Sequence, residues 1–364
     1  MPISVNHSEM IDHIIKAYET KTSLFIQGGT GIGKSYGAVE AGRRLADRFS
    51  MDVDEGVSGD KDNFRVIDFR IADKRPADLR GLPDLSGDRT TWKVPEFLPS
   101  EGRGLIVLEE FNLADKSLQA PAYQLVLGRK MGTYQVPDGF GIIALGNRRE
   151  DKANVHDLGD PLKNRFDWVE LKEPSPQRWI QWAVDNDIDS RVISFIKKGG
   201  SEMLYDPPSS AGQKVFPTPR GWERVGKKIQ GEPDDKLSRY ATPTVGKAIA
   251  EQFESFVRLV EGFDVQSIIE NPRSAELPNR TDEQYALSSH IAPFFKDKET
   301  KTQKINFLKK TGAIADRLPP SFGSLLIGMV AKHDKKFVRR ELPRLDTFKD
   351  FSEEYLKYIA SIDE

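Results

Sequence analysis

A glycine-rich segment between an apolar run and a helical pattern is the feature that most constrains this chain. Residues 28–35 read Gly-Gly-Thr-Gly-Ile-Gly-Lys-Ser and fit the pattern G-x-x-x-x-G-K-[S/T] at every fixed position. The apolar run 23–27 precedes this segment, and apolar residues follow it at helical spacing from Val39 to Phe49. A strand, a glycine loop of this pattern and a helix, in this order, are typical of sites that bind phosphate groups.

The residue types of this loop suit phosphate chemistry. Glycines let the backbone curl, so that its N–H groups converge on phosphate oxygens at a helix N-terminus. The Lys34 ammonium can neutralise phosphate charge, and the Ser35 hydroxyl can bind Mg²⁺. The predicted phosphate-binding residues are Gly28, Gly29, Thr30, Gly31, Ile32, Gly33, Lys34 and Ser35. The alternative is a glycine turn that binds nothing.

Two carboxylates follow a second apolar run. Leu105 to Leu108 are four consecutive apolar residues, and Glu109 and Glu110 come directly after them. At the carboxyl end of a buried parallel strand, the first acid can hold the Mg²⁺ hydration shell and the second can polarise an attacking water. We therefore predict Glu109 as a metal residue and Glu110 as the catalytic base. A pair of acids at an exposed strand end is the alternative.

The order of apolar runs predicts an α/β fold in the first half of the chain. Five such runs alternate with helical patterns, and near-continuous apolar strands indicate a parallel sheet covered on both faces. They lie at 23–27, 64–71, 105–108, 142–145 and 167–171. After Pro174 helical periodicity takes over, and its clearest example is an amphipathic helix from Val245 to Val260.

Composition removes several function classes. Lys and Arg number 54 and Asp and Glu 56, a net charge of −2, so no overall field would hold the protein on nucleic acid or on an acidic membrane. The absence of Cys excludes disulfides, thiolate catalysis and Cys-based zinc sites. The five His are scattered, which leaves oxygen ligands for any metal. Without an apolar run of about 18 residues or a signal peptide, we expect no membrane span and a cytoplasmic location.

Together with three later segments, these residues resemble an AAA+ ATPase of the MoxR type, in the dynein-related AAA subfamily. In chain order the three segments resemble that family's sensor 1, arginine-finger and sensor 2 motifs, at 142–147, 161–166 and 216–223. The resemblance covers about the first 230 residues. It implies that Asn147 is a sensor, that Arg165 is a finger acting on the neighbouring subunit, and that Arg220 reaches the nucleotide.

The resemblance also implies an architecture and partners. The expected fold is an AAA+ P-loop domain with a five-stranded parallel sheet over 1–174, a helical lid over 175–270 and a helical C-terminal extension over 271–364. ATP and Mg²⁺ are the expected ligands. The protein would work as a homo-oligomeric ring, by resemblance a hexamer, that remodels a protein partner containing a von Willebrand factor A domain.

Two further segments resemble loops that face the pore or the partner in such rings. Residues 77–95 occupy the place of a helix 2 insert, and residues 128–137 that of a hairpin before sensor 1. The resemblance makes four residues candidate partner contacts: Trp92, Lys93, Arg129 and Tyr134. The alternative is that Trp92 and Tyr134 pack the bases of their loops.

Two rival functions follow from the same residues. The family usually has Asp where Glu109 stands; the longer Glu would hold the metal more loosely, which favours a nucleotide-gated scaffold with little hydrolysis. Nucleic-acid motors of the MCM type share the insert and the hairpin, and Lys93, Arg129 and Lys130 are locally basic. The near-zero net charge weighs against that motor, so we expect no nucleic-acid partner.

Overall fold

A seven-stranded sheet organises the first half of the chain in the computed structural model, which describes residues 2–56, 60–88, 90–148, 155–156, 158, 164–207, 215–260 and 263–345. By its internal contacts the chain divides into two units, Met1–Glu173 and Pro174–Glu364. The strands of the first unit are β1 (Ile3–Val5), β2 (Leu24–Gly28), β3 (Val53–Glu55), β4 (Phe64–Arg70), β5 (Leu82–Asp84), β6 (Thr91–Lys93), β7 (Arg103–Glu109), β8 (Lys130–Met131), β9 (Tyr134–Gln135), β10 (Phe140–Asn147) and β11 (Asp167–Leu171).

The large sheet is wholly parallel and has the order β1-β11-β2-β10-β7-β4-β3. The predicted α/β fold is confirmed, and the five predicted strands are the five inner ones. The edge strands β1 and β3 were not predicted, because three residues are too few to show an apolar run. Two small antiparallel pairs, β5 with β6 and β8 with β9, lie outside this sheet.

Strand register brings the ends of three inner strands to one edge of the sheet. Asn147, the last residue of β10, pairs with Gly28, the last residue of β2. On the other side of β10, Ala144 pairs with Leu108 of β7. Because all these strands are parallel, their carboxyl ends meet at the same edge, which is where open α/β sheets bind ligands.

The helices of the first unit in the described ranges are α1 (His7–Thr20), α2 (Lys34–Phe49), α3 (Pro76–Arg80) and α4 (Lys116–Gly128). The first begins at a capping box, in which the Asn6 side chain accepts from the backbone of Glu9 and the Glu9 carboxylate accepts from Asn6 N–H. Its buried side, which includes Met10 and Ile14, packs against the sheet and α2. This packing places His7 at the start of α1, near the glycine loop.

The second unit is helical, as predicted. Its helices are α5 (Pro176–Asp185), α6 (Ser190–Leu204, interrupted at Gly200), α7 (Pro219–Lys228), α8 (Leu237–Val245), α9 (Lys247–Val257), α10 (Val265–Glu270), α11 (Thr281–Ile291), α12 (Lys301–Ala315), α13 (Pro320–Ala331) and α14 (Lys335–Glu341). They enclose one apolar core, in which the rings of Phe195, Trp222 and Phe253 contact one another.

One helix of this unit begins later than predicted. The expected helix from Val245 to Val260 is split at Gly246, whose φ of +88° and ψ of 156° do not continue a helix. Val245 therefore ends α8, and α9 begins at Lys247. Of the helices in the described ranges, none has the length and apolar character needed to span a membrane.

Candidate active site

The glycine loop joins β2 to α2 through two residues in the left-handed region. Gly31 has a φ of +73° and Gly33 a φ of +102°, values that side chains other than glycine rarely adopt. A Cβ on Gly28 would lie 3.0 Å from the Leu171 carbonyl oxygen, so there is little space for a side chain at that position. The loop ends where α2 begins at Lys34, so the first-turn N–H groups of this helix lie next to the loop.

Lys34 links the loop to the neighbouring strand. The residue is 9% exposed. The ammonium donates to the carbonyl oxygens of Gly28 and Gly29, both at 2.8 Å, and to Asn147 Oδ1 at 3.1 Å. Two residues that the sequence predicts as parts of one site, Lys34 and Asn147, are therefore in direct contact.

The two predicted acids lie at the end of β7. Glu109 is the last residue of the strand and pairs in register with Arg70 of β4. Glu110 has a φ of +55°, which is uncommon for a residue with a side chain and costs on the order of 1 kcal/mol. This left-handed residue turns the chain away from the sheet into the short 3₁₀ helix Phe111–Leu113.

Arg70 adds a positive charge at this edge that the sequence did not indicate. Its Nε lies 3.6 Å from Glu110 Oε1, and both side chains are partly exposed. Burial raises the pKa of the neighbouring Asp68; Arg70 opposes that rise and Glu110 adds to it. The only sequence signal for Arg70 is its place at the end of an apolar run, and its pairing with Glu110 depends on the order of strands.

Asn112 is a second residue that sequence reasoning missed. The residue is 5% exposed, and its Nδ2 donates to the Asn147 carbonyl oxygen at 2.7 Å. Its Oδ1 accepts from the Asn147 N–H at 3.0 Å. A polar residue between Phe111 and Leu113, directly after two acids, is the signal that could have pointed to it.

His7 contacts the glycine loop, although the sequence offered it no role. Its Nε2 lies 2.7 Å from the Ile32 carbonyl oxygen, so that ring nitrogen carries the hydrogen and donates. A Cβ on Gly33 would lie 3.0 Å from the same nitrogen. The start of α1 thus supports the loop from outside.

Ser35 and Glu109 offer a donor set that suits Mg²⁺. A hydroxyl on the first turn of α2 and a carboxylate at the end of β7 are oxygen donors, and Mg²⁺ is usually held by one or two protein oxygens together with phosphate oxygens. Within the described residues no group of three or more His, Asp or Glu could hold a metal by itself. The residues present therefore fit a metal that arrives with a phosphate ligand.

Arg165 is exposed and lies near the amino-terminal ends of the parallel strands, whereas the loop lies at their carboxyl ends. It precedes Asp167, which pairs with Leu24 at the start of β2, whereas the loop follows Gly28 at the end of that strand. Four rises of about 3.3 Å separate the two levels by roughly 13 Å. The structure does not bring Arg165 to the loop of its own chain.

Arg220 belongs to the second unit. It is exposed on the first turn of α7, which begins at Pro219 and is capped by the Thr218 hydroxyl, an acceptor from Gly221 N–H at 2.9 Å. Proline at the first helical position and threonine as the cap explain the helix start.

The structure corrects one of the four candidate partner contacts, Tyr134. Tyr134 is 9% exposed and its hydroxyl donates to the Pro99 carbonyl oxygen at 2.8 Å; burial raises its pKa. The Arg129 guanidinium donates to the carbonyl oxygens of Pro137 and Phe140. For Tyr134 the alternative of packing at the base of its loop is the one observed, whereas a partner contact of the half-buried Arg129 stays a prediction.

Trp92 and Lys93 are exposed, by contrast. The Trp92 residue is 41% exposed on β6, and Lys93 Nζ lies 3.5 Å from Asp84 Oδ2 across the β5–β6 pair. Several large apolar residues of the same segment are also exposed: Leu82, Leu85 and Val94. This apolar hairpin, residues 82–94, is the part of the insert that remains available to a partner.

No family model and no curated protein matches the chain. Solved structures to which it is similar include a point mutant of RuvB from Thermotoga maritima, with a TM-score of 0.37, 14% identity, and coverage of 78% of this chain and 80% of that one. The ORC2 protein of Aeropyrum pernix, in ADPNP–ADP complexes, has a TM-score of 0.37, 11% identity, and coverage of 93% and 94%. NtrX from Brucella abortus in complex with ADP has a TM-score of 0.34, 14% identity, and coverage of 98% and 68%. Scores this low assign no function to the chain.

Proposed function

We propose that this protein is an AAA+ ATPase of the MoxR type. The observation that carries the proposal is the contact between Lys34 and Asn147, made at the sheet edge where the glycine loop and the two acids also lie. A cation, curled backbone N–H groups and carboxylates are the groups that nucleotide hydrolysis requires.

Each residue has a role that its position supports. The loop N–H groups and Lys34 bind the β- and γ-phosphates of ATP. Ser35 and Glu109 would hold Mg²⁺, which neutralises phosphate charge when bound. Glu110, partly exposed at the end of β7, accepts the proton of the attacking water.

We further propose that the site is completed by a neighbouring subunit. Arg165 is exposed and lies about 13 Å from its own loop, measured along the strand direction. A finger role therefore requires a second copy of the chain. A ring, by family resemblance a hexamer, would provide that copy. In this proposal residues 175–270 form the lid that carries Arg220, and residues 271–364 form a helical extension.

The final element of the proposal is the work done with ATP. Hydrolysis at subunit boundaries would move the lid and the apolar hairpin and so remodel a protein partner, by family resemblance one with a von Willebrand factor A domain. The exposed apolar residues Leu85 and Trp92 support a protein partner, since large apolar side chains anchor protein interfaces.

Steady-state ATP hydrolysis with Mg²⁺ tests the proposal. We expect turnover by the wild type, loss of nucleotide binding in Lys34→Ala, and retained binding without hydrolysis in Glu110→Gln, whose amide cannot accept a proton. Lys16→Ala, on the exposed side of α1, is the matched control and should behave as wild type. Normal turnover in Glu110→Gln would show that another group is the base, and binding without turnover in the wild type would favour the scaffold.

A further inference from the structure

The end of β10 extends past its neighbouring strand. Pairing of β10 with β7 is recorded up to Ala144 opposite Leu108, whereas β10 continues to Asn147. On the other side, β2 pairs with β10 as far as Asn147. The last residue of β10 therefore needs hydrogen-bond partners other than the β7 backbone on one side.

The Asn112 carboxamide supplies those partners. It donates to the Asn147 carbonyl oxygen and accepts from the Asn147 N–H, as a backbone amide of a neighbouring strand would. The backbone carbonyl oxygen of Asn112 in turn accepts from the backbone N–H of His156 at 2.8 Å. The left-handed turn at Glu110 delivers Asn112 to this place.

The surroundings leave little room for a different arrangement. A Cβ on Gly146 would lie 2.6 Å from Asn112 Oδ1 and 2.5 Å from the Phe25 ring, so glycine permits the close approach of the carboxamide. Asn112 itself is 5% exposed. The buried Asn112 side chain makes two hydrogen bonds to Asn147. If it moved away, the backbone N–H and carbonyl groups of Asn147 would lose these partners.

We propose that Asn112 is a positioning residue of the nucleotide site: it holds the backbone of Asn147, and thereby keeps Asn147 Oδ1 in place beside Lys34. The inference rests on the proposed function. Asn112 touches no phosphate in this role; it acts through Asn147, whose side chain contacts the Lys34 ammonium at 3.1 Å. The carboxamide thus couples the segment after the two acids to the glycine loop.

A double-mutant cycle tests the inference. Asn112→Leu should lower kcat about 10- to 100-fold, as expected for a displaced catalytic group, while the dissociation constant for ATP changes far less because the loop and Lys34 remain. In an Asn147→Ala background, Asn112→Leu should lower kcat almost no further, because residue 147 then has no amide side chain to be positioned. Equal losses in both backgrounds would overturn the proposal.

Hydrogen exchange at the Asn147 N–H gives a readout that does not need turnover. Asn112→Leu should remove protection at this amide, and Asn112→Asp, which keeps the accepting oxygen, should retain it. Leu118→Ala, a cavity in the adjacent core, controls for general destabilisation and should leave kcat and Asn147 exchange unchanged. Unchanged exchange in Asn112→Leu would overturn the inference. A wild type without turnover would overturn the proposed function alone, since exchange still decides the Asn112 contact.

Discussion

Lys34 Nζ and Asn147 Oδ1 lie 3.1 Å apart, although 113 positions separate the two residues in the chain. The contact exists because β10 lies next to β2 and ends level with Gly28, the residue from which the glycine loop begins. The ammonium is at the same time bonded to two carbonyl oxygens of the loop. An incoming phosphate must compete with these oxygens for Lys34.

This competition predicts the effect of a charge at position 147. Asn147→Asp replaces a neutral amide oxygen by a carboxylate at hydrogen-bond distance from Lys34, which strengthens the hold on the ammonium and repels phosphate. We expect ATP affinity to fall about 10-fold or more by isothermal titration, with Asn147→Ala as the neutral control close to wild type. Equal affinity in the two variants would show that the contact does not compete with phosphate.

The pair of Arg70 and Glu110 predicts a gain of activity. Because the guanidinium holds the carboxylate in a partly exposed ion pair, Arg70→Ala should free Glu110 and raise kcat by up to about fivefold, the equivalent of 1 kcal/mol. ATP affinity should not change. Arg44→Ala, which breaks a helical ion pair with Glu40, is the matched control. A fall in kcat would show instead that Arg70 assists hydrolysis.

The position of Arg165 predicts action between subunits. Arg165→Ala should lower kcat by at most about 10³- to 10⁵-fold, by analogy with other arginine fingers. The effect on ATP affinity should be smaller. Mixing Arg165→Ala subunits with Lys34→Ala subunits should restore part of the activity, because one boundary can then combine an intact loop with an intact finger. Turnover across mixing ratios, with mixed assembly confirmed by mass, is the measurement; no recovery would place the arginine's role within one subunit.

The inner strands could be predicted because each contains several apolar residues within a short segment; β2, β7 and β10 are buried almost throughout, whereas β4 and β11 also carry exposed or half-buried polar residues. Their order, which places β10 between the strands of the loop and of the acids, is a property of tertiary packing. The edge strands β1 and β3 are too short to show a pattern. Likewise, nothing in the spacing from Val245 to Val260 revealed that Gly246 would separate two helices.

The residues of the site divide in the same way. Lys34, Glu109 and Glu110 belong to short sequence patterns, and a few adjacent residues suffice to predict their chemistry. Asn112 and His7 act on the backbone of segments distant in sequence, and such contacts exist only once the strands are in register. The sequence leaves a partner contact and packing of the loop base as alternatives for Tyr134, because a hairpin pattern does not show that the tyrosine hydroxyl reaches the Pro99 carbonyl.

The half-buried Lys197 predicts a pH dependence of stability. Burial lowers the pKa of this lysine of α6 to about 8, from 10.5. Between these values the unfolded chain binds a proton that the folded chain lacks, so the free energy of unfolding rises with pH across that window. Below it Lys197 is charged in both states, and the folded state carries the cost of a partly buried charge.

Lys197→Met should therefore be more stable than wild type at pH 7, by on the order of 2 kcal/mol, with the difference vanishing at high pH. Urea unfolding followed by tryptophan fluorescence would report on the second unit through Trp179, Trp182 and Trp222. Lys198→Met, on the exposed neighbour that pairs with Asp282, controls for loss of a surface charge. A pH-independent difference would remove Lys197 as the cause.

If the proposed function is right, the apolar hairpin of residues 82–94 is expected to contact the protein partner. Leu85 is 76% exposed and Trp92 41% exposed, and such side chains gain most when a protein surface covers them. We expect Leu85→Ser and Trp92→Ser each to weaken binding of a von Willebrand factor A domain protein about 10-fold or more. Basal hydrolysis of ATP should be retained, because neither residue belongs to the phosphate site.

The control for the hairpin is Ile3→Ser, which removes an apolar residue that is 57% exposed, a value between those of Leu85 and Trp92, from the edge strand β1 and should leave binding unchanged. Salt separates the two classes of partner: an apolar protein contact loses little affinity as salt rises, whereas several phosphate contacts give a steep decline. Titrations with the partner protein and with a single-stranded DNA oligonucleotide at two salt concentrations make that comparison. Tight, steeply salt-dependent DNA binding that both hairpin variants lose would replace the protein partner by nucleic acid.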